Sequence, residues 1–356
     1  MIPVTQPSCA PLDEYRELLA EIWDRGILTN NGPVLQRFEA GVTRQLNLPD
    51  FVAVSNGTLA IQLAIRALDL RGDIVTTPFT WVATLSAIQW EGCRPVFCDV
   101  RPDTFNIDPE GLERAITPDT VAILPVHVFG NPCDVEAIEE VAGRHGLKVI
   151  YDAAHAVGST YRGRSLLEYG DISATSLHAT KILNTAEGGA CVARDPELSA
   201  RLRRLRSFGF DDGKEIVEEG CNGKLSELHA ALGLANLRHL DDILIDRKRK
   251  YALYRELLDG VPGLVFQKLE RGEPNYSYFP VLFGDAAACT DADQRLQNAG
   301  VIARRYFHPS VNTLEKIVPG APRMSISEDL SSRILCLPLY RQLADDDIRR
   351  VASLLR

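Results

Sequence analysis

The amino-acid sequence predicts an α/β protein with a mostly parallel sheet in a large domain and a second, smaller α/β domain at the C-terminal end. In the first half of the chain, short apolar and β-branched runs alternate with amphipathic helical stretches. This alternation is typical of a parallel sheet covered by helices on both faces. The chain also has 356 residues, 45% of them hydrophobic, which is more than one compact core usually holds. We therefore expect a large domain over residues 1–240, including an N-terminal arm, and a small domain over residues 241–356.

The expected elements of the large domain follow one another in a regular order. A proline-punctuated arm leads into an amphipathic helix at Leu12–Arg25, and the segment ILTNNGP then has the composition of a turn. Strands are expected at Phe51–Val54, Asp73–Thr77, Pro95–Val100, Val121–Val126, Lys148–Asp152, Ile172–Thr175 and Ala190–Arg194. Helices are expected at Thr58–Leu70, in the segment that ends near Trp90, at Val135–His145 and at Pro196–Ser207.

The rest of the chain is predicted to be helical first and mixed later. A long helical run is expected over Lys224–Leu258, and the domain boundary is placed inside it, near Asp241. Beyond this run the sequence predicts β-structure within Tyr276–Phe283, a helix near Thr290–Ala299 and a closing amphipathic helix from Asp345. No internal repeat is visible.

Composition and charge argue against several classes of protein. The chain carries 39 Lys and Arg against 48 Asp and Glu, for a net charge of −9, so neither nucleic acid nor an anionic membrane is an expected partner. Its eight cysteines are scattered without a CxxC pair or zinc-finger spacing, which favours buried thiols in a reducing cytoplasm and no metal site. The first residues lack a signal-peptide pattern, and no apolar run has the length of a membrane span. A soluble cytoplasmic protein is expected.

A candidate phosphate site lies between the first strand and its helix. The segment SNGT would place the backbone N–H groups of Gly57 and Thr58, with a hydroxyl, at a helix N-terminus, which suits an anion. The same residues also make an ordinary helix cap. No GxGxxG pattern occurs, and the GK pair in GCNGKLS has neither a preceding strand nor a following Ser or Thr. Neither an NTPase nor a Rossmann dehydrogenase is supported.

Three further side chains are expected near this site, at the carboxyl ends of the parallel strands. Asp152 ends the run KVIYD, where a semi-buried carboxylate needs a cation or a donor. A metal is possible there, but His155 alone makes a poor ligand set, so a protonated ring nitrogen fits at least as well. Trp81, at another strand-to-helix junction, is either a core residue or the cover of a flat ring. Lys181 lies between two β-type runs beside a glycine turn, although a loop lysine in an ion pair is equally consistent with its surroundings.

Together these features are what pyridoxal phosphate (PLP) requires. In this reading the lysine forms the Schiff base, and the aspartate keeps the pyridine nitrogen protonated so that the ring acts as an electron sink. A phosphate cradle and an apolar ring cover complete the set. The four features together are more specific than any one of them.

Six stretches of the chain, in their order and spacing, resemble the sugar aminotransferases of the DegT/DnrJ/EryC1/StrS family, a branch of the fold type I PLP-dependent transferases. They are SNGTLAIQLAIRAL, GDIVTTPFTWVAT, PVFCDVRPDTFNID, YDAAHAVGSTYRG, SLHATKILNTAEGGA and GCNGKLSELHAALGLANL. The resemblance covers essentially the whole chain. It implies PLP as the cofactor, with pyridoxamine phosphate as its form between the half-reactions.

The resemblance also implies roles around the cofactor ring. Lys181 is implied as the catalytic lysine, which bonds the cofactor and moves protons. Asp152 is implied to pair with the pyridine nitrogen, and His155 to lie beside the ring hydroxyl. Trp81 is implied to stack on the ring.

Further roles implied by the resemblance concern the phosphate and the assembly. Gly57, Thr58 and Ser176 are implied to bind the phosphate within one chain. Asn222 matches an asparagine that reaches the phosphate of the neighbouring subunit. The resemblance therefore implies a homodimer with shared active sites.

The implied reaction moves an amino group from L-glutamate to a nucleotide-linked keto sugar in a ping-pong sequence. The stretches SLHATK, CNGKLSELHAALGL and ILTNNGP most resemble members that convert dTDP-4-dehydro-6-deoxy-D-glucose into dTDP-4-amino-4,6-dideoxy-D-glucose. Close relatives act on the 3-keto isomer as dTDP-3-dehydro-6-deoxyhexose 3-aminotransferases. Other members are dehydratases with histidine in place of Lys181, or non-catalytic regulatory and binding proteins.

Candidate sugar contacts come from two places in the sequence. Tyr306 and His308 belong to the segment YFHP, and Asn30 lies in the turn ILTNNGP. For each of them a purely structural role is at least as consistent with the sequence.

Overall fold

A seven-stranded sheet lies at the centre of the larger part of the molecule in the computed structural model, which describes residues 1–269 and 271–356. The strands of the first half of the chain are β1 (Val52–Val54), β2 (Asp73–Thr76), β3 (Arg94–Phe97), β4 (Thr120–Leu124), β5 (Lys148–Asp152), β6 (Thr160–Tyr161), β7 (Arg164–Ser165), β8 (Ile172–Ser176) and β9 (Gly189–Ala193). The order across the sheet is β1-β9-β8-β5-β4-β2-β3, while β6 and β7 form a separate hairpin. Within this large sheet, only β9 runs antiparallel to its neighbours. The predicted mostly parallel sheet is confirmed.

Helices cover both faces of the large sheet. They are α1 (Leu12–Arg25), α2 (Pro33–Gln45), α3 (Gly57–Ala67), α4 (Val82–Trp90), α5 (Pro109–Ala115), α6 (Val135–His145), α7 (Pro196–Leu205) and α8 (Glu227–Leu237). Because side chains alternate along a strand, each strand contributes to two cores. In β1, Ala53 joins the core that includes α1, α2, α6 and α8, while Val52 and Val54 join the core that includes α3, α4 and α7.

The C-terminal part of the chain forms a smaller antiparallel sheet with its own core. Its strands are β10 (Leu264–Phe266), β11 (Phe279–Phe283) and β12 (Ile334–Leu337), and its helices are α9 (Leu240–Leu258), α10 (Ala286–Asn298), α11 (Ser325–Arg333) and α12 (Asp345–Ser353). Helix α9 serves both parts, since Ile243 packs in a core of the large sheet and Tyr254 in the C-terminal core. Ile2 also belongs to the C-terminal core and pairs with Val301. The division of the chain at residue 241 remains a prediction.

Several elements differ from the sequence-based expectation. Helices α2, α5 and α11 and strands β6, β7, β10 and β12 have no counterpart among the expected elements. The expected helical run over Lys224–Leu258 is in fact two helices, α8 and α9. His239 lies between them, and its Nε2 is 2.8 Å from a carboxylate oxygen of Glu14 on α1. The break between α8 and α9 therefore coincides with a tertiary contact, and no Gly or Pro in the sequence indicates it.

In the described part of the chain, every helix is too short or too polar to cross a membrane. The same residues contain no group of three or more His, Cys, Asp or Glu side chains placed to hold a metal ion.

Candidate active site

A cavity of about 340 Å³ opens at the carboxyl ends of the parallel strands. Asp152 ends β5 and Ser176 ends β8, and the loops after these strands continue along the cavity wall. Parallel strands end at one edge of a sheet, so residues far apart in sequence meet there. The cavity brings together the predicted residues Gly57, Thr58, Trp81, Asp152, His155, Ser176, Lys181 and Tyr306.

The N-terminus of α3 offers an anion site against the end of β8. Asn56 caps the helix through its side chain, which accepts a hydrogen bond from the Leu59 amide at 2.8 Å. Among the described residues, none accepts a hydrogen bond from the amide N–H of Gly57 or Thr58. A Cβ atom on Gly57 would lie only 2.9 Å from Cβ of Ser176, so glycine permits this close approach. Free N–H groups at the positive end of a helix, beside a hydroxyl, suit a phosphate.

Asp152 is buried at the end of β5, with 6% of its surface exposed. The Thr84 hydroxyl donates to its Oδ2 at 2.7 Å, and the Ala154 amide donates to its Oδ1 at 3.1 Å. Burial raises the pKa of Asp152, while these two hydrogen bonds and the charge of Lys181 act in the opposite direction. A cation placed against this carboxylate would offset the cost of burying its charge.

Lys181 lies in the loop between β8 and β9, and it lines the cavity. Its backbone N–H donates to the His178 carbonyl oxygen at 2.8 Å, which fixes the local turn. Burial lowers the pKa of Lys181 to about 8, with the charge of Asp152 acting against this change. An amine with this pKa has a sizeable neutral fraction near neutral pH, as a nucleophile and proton carrier requires.

His155 is held as a neutral ring. Its Nδ1 accepts a hydrogen bond from the Phe129 amide at 3.3 Å, and the Tyr278 hydroxyl lies 3.4 Å from its Nε2. The ring also stacks on Phe307, with the two centroids 5.8 Å apart. Burial lowers the pKa of His155 well below its usual value, and the charge of Lys181 acts in the same direction. Because Nδ1 is an acceptor here, we assign the proton to Nε2.

Trp81 forms part of the cavity wall with 51% of its surface exposed. The Arg304 guanidinium lies 5.9 Å from the centroid of the Trp81 ring and 4.8 Å from that of Tyr306. Tyr306 in turn packs edge to face against Tyr278, at 5.4 Å between centroids. An exposed indole in a cavity wall suits the cover of a flat ring.

Three of the predicted residues do not line the cavity of the single chain. Asn30 is exposed in the turn before α2. His308 is exposed, and its Nδ1 lies 3.1 Å from the Ser331 carbonyl oxygen. Asn222 is also exposed, and its side-chain oxygen accepts a hydrogen bond from Lys224 Nζ at 2.6 Å. The roles of all three remain predictions.

Sequence reasoning missed Thr84, Tyr278 and Arg304 on the cavity wall. Thr84 had a usable signal, since it lies in the first turn of α4, three residues after Trp81 at the N-cap of that helix. Tyr278 and Arg304 come from the C-terminal part of the chain, where no local pattern distinguishes them from other aromatic and basic residues.

The donor set of this cavity fits PLP. The N-terminus of α3 and Ser176 provide an anion cradle, Asp152 is a lone buried carboxylate that needs a cation, and Lys181 is an amine with a lowered pKa. Trp81 supplies an aromatic cover. A fold type I arrangement with these groups at the strand ends defines a PLP-dependent aminotransferase.

Comparison with known proteins identifies the family. Residues 12–356 match the model of the DegT/DnrJ/EryC1/StrS aminotransferase family, and the chain belongs to this family. Its aminotransferases depend on PLP, so the predicted cofactor is confirmed.

Relatives and solved structures match over nearly the full length. The dTDP-4-amino-4,6-dideoxy-D-glucose transaminase of Escherichia coli is 38% identical over 365 residues, covering 99% of this chain and 98% of the relative. The GDP-perosamine synthase of Caulobacter vibrioides is 34% identical over 357 residues, covering 96% and 94%. The structure of DesI in the presence of its TDP-sugar product has a TM-score of 0.94 and 37% identity, covering 99% of this chain and 92% of DesI.

Proposed function

We propose that this aminotransferase moves the amino group of L-glutamate to dTDP-4-dehydro-6-deoxy-D-glucose and forms dTDP-4-amino-4,6-dideoxy-D-glucose. The observation that carries the choice of substrate is the 38% identity, over 99% of the chain, to a transaminase named for this amino sugar. The likeness to DesI, whose structure contains its TDP-sugar product, supports a nucleotide-linked sugar as well. The alternative acceptor is the 3-keto isomer.

The residues of the cavity have distinct tasks in this reaction. PLP, when bound, supplies the aldehyde that takes up the donor's amino group and later passes it to the keto sugar. The negative charge of the Asp152 carboxylate would hold a proton on the ring nitrogen, and the hydrogen bonds from Thr84 and Ala154 fix the direction of its oxygens. Lys181 Nζ would take a proton from the donor α-carbon and return one to the sugar carbon, for which a pKa of about 8 is suited. Neutral His155 would orient the ring without adding a second positive charge beside Lys181.

A homodimer with shared sites is part of the proposal. Four large apolar side chains in the segment just before Asn222 have 40% to 68% of their surface exposed, namely Phe208, Phe210, Ile216 and Val217. Concentrations of exposed apolar surface mark interaction sites. A second copy of the chain packed on this segment would bring Asn222 of one subunit to the phosphate site of the other.

Product analysis tests the substrate assignment. The purified protein, loaded with PLP and supplied with L-glutamate, is given the 4-keto and the 3-keto dTDP-sugar separately, and NMR assigns the position of the new amine. A 4-amino product from the 4-keto sugar is expected, and Lys181→Ala is the inactive control. Product from the 3-keto sugar alone would establish the alternative, and product from neither would contradict the proposal. A GDP-linked 4-keto sugar, included because of the 34% identity to GDP-perosamine synthase, tests the nucleotide.

A further inference from the structure

Arg304 is an arginine of the cavity wall whose charge is not neutralised by the protein. In residues 1–269 and 271–356, the contacts of its guanidinium are the rings of Trp81 and Tyr306, and no carboxylate lies within ion-pair distance. Other arginines of the chain, such as Arg203 and Arg206, form ion pairs with Glu39. Arg304 is exposed at the cavity wall, and an unpaired guanidinium in this position is available to a ligand.

The position of Arg304 is fixed from both ends. Its backbone N–H donates to the carbonyl oxygen of Cys336 in β12 at 3.1 Å, and the Cys336 N–H donates back to the Arg304 carbonyl oxygen at 2.8 Å. Its side chain lies over two aromatic rings. These ring contacts use none of the hydrogen-bonding capacity of the guanidinium, so its N–H groups are available to a planar anion. Since the group is already placed, little ordering is needed when an anion binds.

The other charged groups on the cavity wall are not suited to take the place of Arg304 as a permanent positive charge for an anion. Lys181 has its pKa lowered to about 8, and burial keeps His155 neutral. Asp152 is held by its own hydrogen-bond donors, and Glu187 lies 3.7 Å from Nε2 of His178. A guanidinium stays protonated at any pH at which the enzyme works.

We propose that Arg304 binds an anionic oxygen group of an incoming substrate through its N–H edge. The inference rests on the proposed function, in which both substrates are anions. Carboxylate and phosphate share the geometry that a guanidinium fork recognises. Two sources therefore exist, a carboxylate of the amino donor and a phosphate of the nucleotide sugar, and the experiment distinguishes them.

Binding of two unreactive probes to the PLP-loaded protein tests the proposal. Glutarate is a dicarboxylate without an amine, and inorganic diphosphate stands for the nucleotide's phosphates. Because Arg304 lies over Trp81, binding is followed by the fluorescence of that ring in a background that carries Trp23→Phe and Trp90→Phe. Kd is measured for each probe in this background, and also with Arg304→Gln or Arg304→Lys added.

Arg304→Gln should raise the Kd of one probe by about tenfold or more, the loss expected for a charged hydrogen-bonding partner. Arg304→Lys should recover part of the affinity, because it restores the charge without the fork. Arg349→Gln, an exposed charge change on α12, is the matched control and should leave both values unchanged. The probe whose Kd rises identifies the substrate that Arg304 binds. If it is glutarate, the KM of glutamate should rise as well, and if it is diphosphate, the KM of the nucleotide sugar should rise.

Changes below twofold in both Kd values and both KM values would overturn the proposal. That result differs from a failure of the proposed function, which would appear as absence of product from both keto sugars in the unmodified enzyme.

Discussion

Replacing Lys181 with methionine should abolish transamination and, at neutral pH, stabilise the cofactor-free protein. Methionine keeps an unbranched side chain of similar length but carries no charge. Burial lowers the pKa of Lys181 from 10.5 to about 8, so the folded protein disfavours the protonated amine that the unfolded chain carries freely. A change of this size corresponds to roughly 3 kcal/mol of free energy of unfolding. Lys181→Met should recover most of that amount.

The gain in stability should depend on pH with a defined sign. Below about pH 8 the amine is protonated in both the folded and the unfolded chain, and the full cost of burying the charge is present. Between about pH 8 and pH 10.5 the folded protein has released its proton while the unfolded chain still holds it. The unmodified protein therefore gains stability across this window as pH rises. The advantage of Lys181→Met should be constant below the window and approach zero at its upper end.

Urea unfolding of the cofactor-free proteins, followed by circular dichroism, measures this difference at a series of pH values. Ionisable groups that both proteins share contribute equally to their free energies of unfolding, so their contributions cancel in the difference. Lys316→Met, which changes an exposed lysine, is the matched control and should give no pH-dependent difference. A methionine variant that is less stable than the unmodified protein at neutral pH, or an advantage independent of pH, would refute the reasoning.

Three further predictions concern the cradle, the carboxylate and the assembly. Asp152→Asn should fold but lose most activity and change the absorbance of bound PLP, because an amide does not hold the ring nitrogen protonated; equal turnover in both proteins would place the carboxylate's role elsewhere. Gly189→Ala should weaken PLP retention in equilibrium dialysis, because a Cβ there would lie 2.5 Å from a backbone carbonyl carbon at the start of α3. Gly143→Ala, on an open face of α6, should instead stabilise the protein by about 0.5–1 kcal/mol in urea; similar losses of PLP in both variants would contradict the cradle. Asn222→Ala should weaken PLP retention by roughly 1.5–3 kcal/mol. Dissociated and reassociated with Lys181→Ala at limiting cofactor, it should give more activity than the average of the two parents, because each mixed dimer keeps one intact site; activity at or below that average, or an active native monomer, would exclude shared sites.

The strands of the large sheet are predictable because strands buried on both faces favour short runs that are mostly apolar and β-branched. The run KVIYD matches β5 residue for residue. Helix α2 is a different case, because its N-terminus is held by a distant side chain. The Glu227 carboxylate accepts hydrogen bonds from the amides of Val34 and Leu35 at 2.9 and 2.7 Å. This cap, supplied from 193 residues away, cannot be read from the local sequence. Pro33 at the first helical turn, followed by the buried apolar residues Val34, Phe38 and Val42, was a local signal that the sequence-based prediction did not use.

The same distinction applies to the site. Asp152 and Lys181 are predictable because each follows or ends a strand, and strand ends converge in a parallel sheet. Arg304 is not, because its significance comes from the two rings beneath it and from the lack of a carboxylate partner among the described residues. Both the ring contacts and the missing carboxylate partner depend on the tertiary structure. A sequence records that an arginine is present but not whether the fold neutralises it.

The charge of Asp152 should act on both the ring nitrogen of the cofactor and the amine of Lys181. In the cofactor-free protein its carboxylate raises the pKa of Lys181, while burial lowers it to about 8. A cationic ring nitrogen placed against Asp152 would neutralise that carboxylate and remove its effect on the amine. Binding of the ring should therefore lower the pKa of Lys181 further and leave more of it neutral, which is the form that reacts. Asp152→Asn imitates this neutralisation without any ligand. In that variant, labelling of Lys181 by an amine-specific reagent, followed by peptide mass spectrometry, should show a midpoint below about pH 8, and a midpoint that stays the same or rises would show that the two groups are not coupled.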